Sequence, residues 1–547
     1  MTKIALVLGG SGSLGTYAAG AVTELFRALS DEHSGASAQI GVMAGVSSGG
    51  LNAALAARAL VVNPSLVPWI RTFWIRGMDI EVLLNQKRSS RSSLLDVSAL
   101  EKMSRALIAA EPASDDRSSS LLAQPFELGM TLTSLHGVTR RAGSRSRDDG
   151  APPGAARLYD DWVAFRLSPE DAAGAPVWQD VLQAAVAATS FPPAFPARRL
   201  ERPRGHPSGS TAEDGGAIDM WYGDGGLLAN EPLRLAKRLV VRTGTPEDDW
   251  RYVVVDPTFG PAAQSDPGGA APPTSFARVA GLLAKALPEH GSSGDRLRAA
   301  ATNDRLALVH ALIGRLPEIA APLTDPEEFE LSRSVGELAE QVCEARLADS
   351  GGGRGRSPAR GRAGADPVLE LLEESLARVE RRHARVLARI GSRAARSRLA
   401  KLIFLIEASA GLDDKEALAI HTIAPRRRLA GDFLGGFGGL FCREWREADF
   451  AAGRRDARQL LETAMADLTS YEPDEESAYD VPELDTSMDA LEPDRRRVLD
   501  RVIEAEVGWR IGQLDAGFLG NLLGFAWKPA LRKRAFAEAM RTLRDAS

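Results

Sequence analysis

The sequence predicts an α/β fold in its first half, followed by a mainly α-helical C-terminal region. Two observations carry the first part. A short apolar run at residues 3–10 ends in glycines, and a second, Ile40 to Val46, leads straight into Ser47. Each is followed by a helical pattern, and strand, tight turn and helix, repeated, is the rhythm of an α/β architecture. A third observation carries the second part: strand signals fade after about residue 275, where helical periodicity takes over.

In chain order, the first strand gives way to a glycine-rich turn, Gly9 to Gly15, and a helix from Tyr17 to Leu29. The second strand feeds an Ala- and Leu-rich helix, Gly50 to Leu60. Further strands are expected at Phe126–Leu135, Trp162–Leu167 and Trp250–Val255, and a helix at Trp178–Ala188. Arg140–Arg157, Arg202–Gly216 and Thr258–Ser275 are rich in Gly, Pro, Ser and charge and read as loops. Ser350–Ala365 reads as a flexible linker. The expected division is an α/β domain over 1–275, a helical extension over 276–349, a linker over 350–366 and a helical domain over 367–547. Within the last, Leu372, Leu376, Val379, His383, Val386 and Ile390 form a heptad seam. It covers under three heptads, which favours a helical hairpin within the chain over a coiled coil between chains. His383 reads as a structural residue on that seam.

Composition sets bounds. The 547 residues exceed one core and suggest about three domains. With 44% hydrophobic and 26% charged residues the chain is an ordinary globular one. A net charge of −6 argues against wholesale nucleic-acid binding. Two cysteines, Cys343 and Cys442, exclude a disulfide framework and a zinc finger, and the seven histidines show no H-E-x-x-H spacing. The N-terminal apolar run is too short for a signal peptide, and no stretch approaches 18 apolar residues. The cytoplasm is therefore the expected location, with signal-less secretion left open.

Three motifs carry chemistry. Gly45-Val46-Ser47-Ser48-Gly49 is a G-x-S-x-G between an apolar run and a helix. A serine there must hold strained backbone angles, and small neighbours avoid clashes. The turn exposes the Ser47 hydroxyl beside the free N–H groups of a helix start. In the loop Gly9 to Gly15, small residues let several backbone N–H groups converge, as needed to stabilise an oxyanion. Gly223-Asp224-Gly225-Gly226 sets a carboxylate between glycines, where it can approach another loop closely.

The first loop has a rival reading. Gly10-Ser11-Gly12-Ser13-Leu14-Gly15 is a literal G-x-G-x-x-G, the dinucleotide fingerprint. That fingerprint wants an acid at the end of a second strand. Asp31 and Glu32 stand at the right distance but continue a helix. A dinucleotide-binding oxidoreductase is thus the weaker alternative.

Taken together, the glycine loop, the G-x-S-x-G, the proline-containing block Ala187 to Pro196 and the D-G-G resemble the patatin-like phospholipases, in that order over residues 3–235. Ala430–Arg458, with Gly435-Gly436-Phe437-Gly438-Gly439, resembles C-terminal regions attached to some bacterial members. The resemblance implies a three-layer sandwich around a mostly parallel sheet. It implies a Ser–Asp dyad with Ser47 as nucleophile and Asp224 as base, and an acyl-enzyme intermediate. Gly10, Ser11 and Gly12, with Ser48, would form the oxyanion hole, and Gly45, Gly49, Gly223 and Gly225 would support the motifs. No cofactor or metal is implied, and the implied substrate is a lipid acyl ester. No histidine sits in an obvious motif; His136, after a strand, is retained as a candidate third member. There are two departures: Ser11 replaces the middle glycine of the family's loop, and Leu14 occupies its basic position. They motivate a further alternative, a catalytically weak lipid-binding or interaction protein.

Phe518 to Trp527, followed by Arg532-Lys533-Arg534, suits either an interfacial helix in peripheral membrane contact or a buried C-terminal helix. Trp69, Trp74 and Ile75 fit an acyl pocket or the core equally. Oligomeric state is not legible in the sequence.

Overall fold

The computed structural model describes residues 2–501 apart from 31–37, 63–65, 85–92, 94, 97, 109–120, 142–154, 172–175, 193, 204–216, 229–231, 247, 259–275, 320–324, 351–365, 413–414, 416, 433–435, 469–480, 482–483 and 485–489. The linker at 351–365, Asp31 and Glu32, the segment 518–534 and most of the three expected loops lie outside the described residues.

The elements are β1 (Thr2–Leu8), α1 (Gly15–Ser30), β2 (Ala38–Gly45), α2 (Ser48–Val61), α3 (Val67–Thr72), α4 (Ile80–Leu83), α5 (Ser98–Ile108), β3 (Leu122–Arg141), β4 (Ala155–Leu167), α6 (Pro176–Ala188), β5 (Arg198–Pro203), β6 (Ala217–Asp224), α7 (Pro232–Arg242) and β7 (Trp250–Val255). They continue with α8 (Phe276–Ile319), α9 (Asp325–Ser350), α10 (Pro367–Arg382), α11 (Ala384–Leu387), α12 (Arg393–Ser409), β8 (Ala419–Ile423) and α13 (Arg443–Glu462).

Eight strands form one sheet in the order β5-β6-β3-β2-β1-β7-β8, with β4 beside β3. The neighbours β1–β2, β2–β3, β1–β7 and β7–β8 run parallel, and β6 runs antiparallel to β3 and β5. The fold is α/β with a mostly parallel central sheet. β1 and β2 are buried along nearly their whole length, which is why they read as continuous apolar runs rather than alternating ones. α2 is buried on every face, and its small side chains suit that position.

The chain divides into two compact units. The first comprises residues 1–138, 158–295 and 419–547, and the second 139–157 and 296–418. This division differs from the linear one expected at 275, 349 and 366. Residues after 419 return to the α/β unit because its sheet and helices need them. β8 adds an edge strand on β7 in a region expected to be helical, its five residues too short to signal a strand. α13 packs on α1 so closely that a Cβ on Gly453 would stand 2.0 Å from the Tyr17 carbonyl oxygen. The pair is tied by Arg454 to Glu24 at 2.6 Å and by the Tyr17 hydroxyl donating to Asp456 at 3.0 Å. β5 and β6 were likewise not expected, and β3 and β4 reach into the supposed loop Arg140–Arg157. Their charged, glycine-bearing ends hide the strand period.

The second unit has its own core, including Ile313, Leu372, Val379, Leu399, Ile403 and Phe404. The heptad seam packs within this chain, α10 lying against α9 and α12. It is not one helix, however: the backbone leaves helical geometry at His383 (φ −110°, ψ 24°) between α10 and α11. Among the described residues, no helix is long and apolar enough to cross a membrane.

Candidate active site

The parallel strands end level with one another, and loops from several of them converge there. Leu8 of β1 pairs with Gly45 of β2 and Val255 of β7, and Gly45 pairs with Met130 of β3. Ligands of open α/β sheets bind at such carboxyl ends. The glycine loop leaves β1 here and Ser47 leaves β2. β6 arrives antiparallel and ends at Asp224, paired with Leu132, two residues beyond Met130 on β3. The antiparallel return of β6 thus delivers Asp224 to the serine turn from a distant part of the chain.

Ser47 caps α2 with φ 53° and ψ −129° and is the only non-glycine residue with positive φ among the described residues. Such a backbone costs on the order of 1–3 kcal/mol and persists only where its surroundings enforce it. Gly49 helps enforce it. A Cβ there would stand 2.2 Å from the Leu8 carbonyl oxygen, so only glycine lets the turn sit on β1. Gly10 faces the same turn, where a Cβ would stand 2.6 Å from that of Ser47. Gly45 and Gly225 are equally crowded, whereas Gly223 has ordinary clearance.

The Ser47 hydroxyl donates to Asp224 Oδ2 at 2.6 Å. The Gly226 N–H donates to the other carboxylate oxygen at 2.7 Å, and the Asp224 N–H is held by the Ser190 carbonyl at 3.0 Å. Asp224 is buried. Burial pushes its carboxyl up from 3.8 to about 7, against the opposing pull of its hydrogen bonds from Ser47 and Gly226.

Of the four expected oxyanion donors, three point to no acceptor among the described residues: the N–H groups of Gly10, Gly12 and Ser48. The fourth, Ser11 N–H, donates to Ser48 Oγ at 3.1 Å. Leu14, in the position expected to be basic, is buried in the core. His136 is exposed, four positions along β3 from the partner of Asp224, and does not line the pocket. It is not a member of the site.

A pocket with about 70 Å³ of free volume opens over Ser47, Asp224 and the glycine loop. Its walls are apolar, including Trp74, Met78, Phe191, Phe195, Phe437 and Leu440. Trp74 sits in a π-helical turn, Phe73–Gly77, with its indole N–H donating to Asn52 at 2.6 Å. Trp69 is exposed, and Ile75 belongs to the core. Phe191 and Phe437 sit ring against ring at 6.0 Å.

The wall residues Phe437 and Leu440 come from the C-terminal part of the chain, and their segment is fastened to the glycine loop. Ser13 Oγ donates to the Gly436 carbonyl at 2.7 Å and accepts from the Gly439 N–H at 3.0 Å. Asp449 of α13 accepts from the N–H groups of Ala430 and Gly431 at 2.8 and 2.9 Å. Sequence reasoning singled out the segments holding Phe191, Phe195 and Phe437 but not their place in the pocket. An aromatic flanked by glycines or prolines was the available signal.

Fold and pocket define a class: an α/β protein whose G-x-S-x-G turn faces a buried aspartate across a glycine loop. Residues 6–237 match the family model of the patatin-like phospholipases, which assigns this part of the chain to a patatin-like phospholipase domain. No curated protein matches the chain. The matched domain supports a lipid acyl hydrolase in general terms and gives no support to the oxidoreductase reading of the glycine loop.

Proposed function

We propose that the protein hydrolyses lipid acyl esters through a covalent acyl-enzyme, with Ser47 as nucleophile and Asp224 as its base. The observation that carries this reading is the 2.6 Å hydrogen bond from Ser47 Oγ to a buried carboxylate. A base must reach the proton it removes, and its pKa must lie near the working pH. Asp224, pushed up to about 7, meets both conditions without a histidine.

In the first step Ser47 Oγ attacks the ester carbonyl carbon as Asp224 Oδ2 takes its proton. The negative charge on the carbonyl oxygen is met by the N–H groups of Gly10, Gly12 and Ser48. One such preorganised donor contributes about 3 kcal/mol in comparable sites. The protonated Asp224 returns the proton to the departing alcohol. In the second step water gives a proton to Asp224 as it attacks the acyl-enzyme, and Asp224 passes that proton to Ser47 Oγ as the acyl bond breaks, freeing the fatty acid. The aromatic and aliphatic walls suit an acyl chain. Leu14 leaves the loop without a cation, so any phosphate on the substrate is not held by a charge from that position. Contact with a lipid surface is part of this proposal, since the substrate class resides there.

The test is fatty-acid release from mixed phospholipid and acylglycerol vesicles. Wild-type protein is expected to release acid, with Ser47→Ala and Asp224→Ala at least about 10³-fold slower while folded. Wild-type protein that binds the vesicles without releasing acid would replace the enzyme with the lipid-binding alternative.

A further inference from the structure

Three polar side chains meet inside the core of the helical unit, away from every motif. They are His310 of α8, His383 at the junction of α10 and α11, and Glu407 of α12. Helical spacing turns two of them inward: His310 lies three residues before buried Ile313, and Glu407 follows buried Ile403 and Phe404 by four and three. His383 stands four residues from Val379 and four from Leu387, both buried. Glu407 is 0% exposed and His383 5%, while the His310 side chain, at 34%, forms the solvent side of the cluster.

One carboxylate oxygen is the meeting point. Glu407 Oε1 lies 2.8 Å from His383 Nε2 and 3.4 Å from His310 Nε2. The other oxygen, Oε2, accepts from Arg382 Nη1 at 3.0 Å. His383 therefore serves Oε1 as a hydrogen-bond partner. His310 Nε2 is shielded from water, faces the same oxygen and makes no hydrogen bond. Buried polar atoms almost always have a partner, so this one calls for an explanation. The two rings stand edge to face, 88° apart with centroids at 4.8 Å, and the three ligand atoms lie within 4.8 Å of one another. Two imidazole nitrogens and a carboxylate oxygen are a donor set of zinc, which takes nitrogen and oxygen ligands at about 2.0–2.2 Å. No two of the three share a short sequence motif, which is why histidine spacing along the chain gave no sign of them.

We propose that His310, His383 and Glu407 bind a zinc ion in the helical unit, with the fourth position taken by water on the His310 side. The ion enters between the three ligand atoms and displaces any proton on His383 Nε2, the neutral ring keeping its proton on Nδ1. Arg382 keeps its bond to Oε2 and fixes the carboxylate, the part that outer hydrogen bonds play around metal ligands. The ion joins α8, α12 and the α10–α11 junction, three segments distant in sequence, and so stabilises the helical unit.

The full-length protein, stripped with EDTA, is titrated with zinc chloride by calorimetry, and with cobalt(II) as a spectroscopic stand-in. The expected result is one equivalent of zinc, a visible absorption band of four-coordinate cobalt, and a melting temperature raised by roughly 5 °C at saturation. His310→Ala and His383→Gln are each expected to weaken zinc binding at least about 10-fold. Circular dichroism establishes that the variants fold. Where one does not, the other variant and the wild-type cobalt band decide. No zinc uptake by wild-type protein at micromolar free metal, or uptake unchanged in a folded His310→Ala variant, overturns the site and leaves a hydrogen-bonded cluster only. None of these readouts depends on Ser47.

Discussion

At the scale of single residues, the site turns on the cost of burying Asp224. Its carboxyl is pushed up to about 7, so below that pH it holds the proton that catalysis needs it to accept. The kcat/KM for a neutral ester is expected to rise about tenfold per pH unit up to about pH 7 and then level off. A flat profile from pH 5 to 8 would remove Asp224 from the base role. Stability runs the other way. A carboxyl whose folded pKa exceeds its unfolded value of about 3.8 stabilises the fold fully below that value. It loses this contribution as pH rises through about 7. Asp224→Asn resembles the neutral form at every pH. The variant is expected to lose activity by about 10²–10⁴-fold and to melt several degrees above wild type at pH 8, with the gap closing toward pH 4. Thermal melts of both proteins at the two pH values would show it.

At the scale of elements, the serine turn and the C-terminal segment at the pocket make separate demands. In Gly49→Ala the new methyl meets the Leu8 carbonyl oxygen at 2.2 Å, a backbone atom with no rotamer to change, so β1 or α2 must move. A loss of several kcal/mol and poor soluble yield are expected. Ser13→Ala removes the hydroxyl that bridges Gly436 and Gly439, at about 1–3 kcal/mol for the buried partners left behind. If that bridge positions Phe437 over the pocket, kcat/KM for long-chain esters falls more than for short-chain ones, and a chain-length series measures the difference. Much of the serine turn was legible at this scale. Apolar run, G-x-S-x-G and Ala-rich helix fixed β2, Ser47 and α2 to within a few residues. The place of Asp224 at the end of an antiparallel strand was not, because Ala217–Asp224 is short and pairing with β3 is a tertiary fact. The broken heptad helix is similar: periodicity shows the seam, but the break at His383, where the ring meets Glu407, is a tertiary fact.

At the scale of the whole molecule, the family match ends at residue 237, yet the α/β unit does not. It recruits β8 onto its sheet and α13 onto α1 from beyond residue 419. A fragment of residues 1–275 therefore leaves the edge of β7 unpaired and the α1 face of Tyr17 and Gly20 uncovered. It is expected to accumulate as insoluble protein to a greater extent than the full chain. Cooperative melting of a soluble 1–275 fragment would contradict that. Composition along the chain could not reveal this return, since local periodicity records which helix a residue belongs to and not which core it covers.

The most direct test of the Ser47–Asp224 assignment is covalent labelling with a fluorophosphonate, with the modified peptide located by mass spectrometry. Labelling is expected at Ser47 in wild-type protein and to be lost in folded Ser47→Ala and Asp224→Ala variants. Absence of label from Ser47, with lipid vesicles present and the protein folded, would contradict the activated serine.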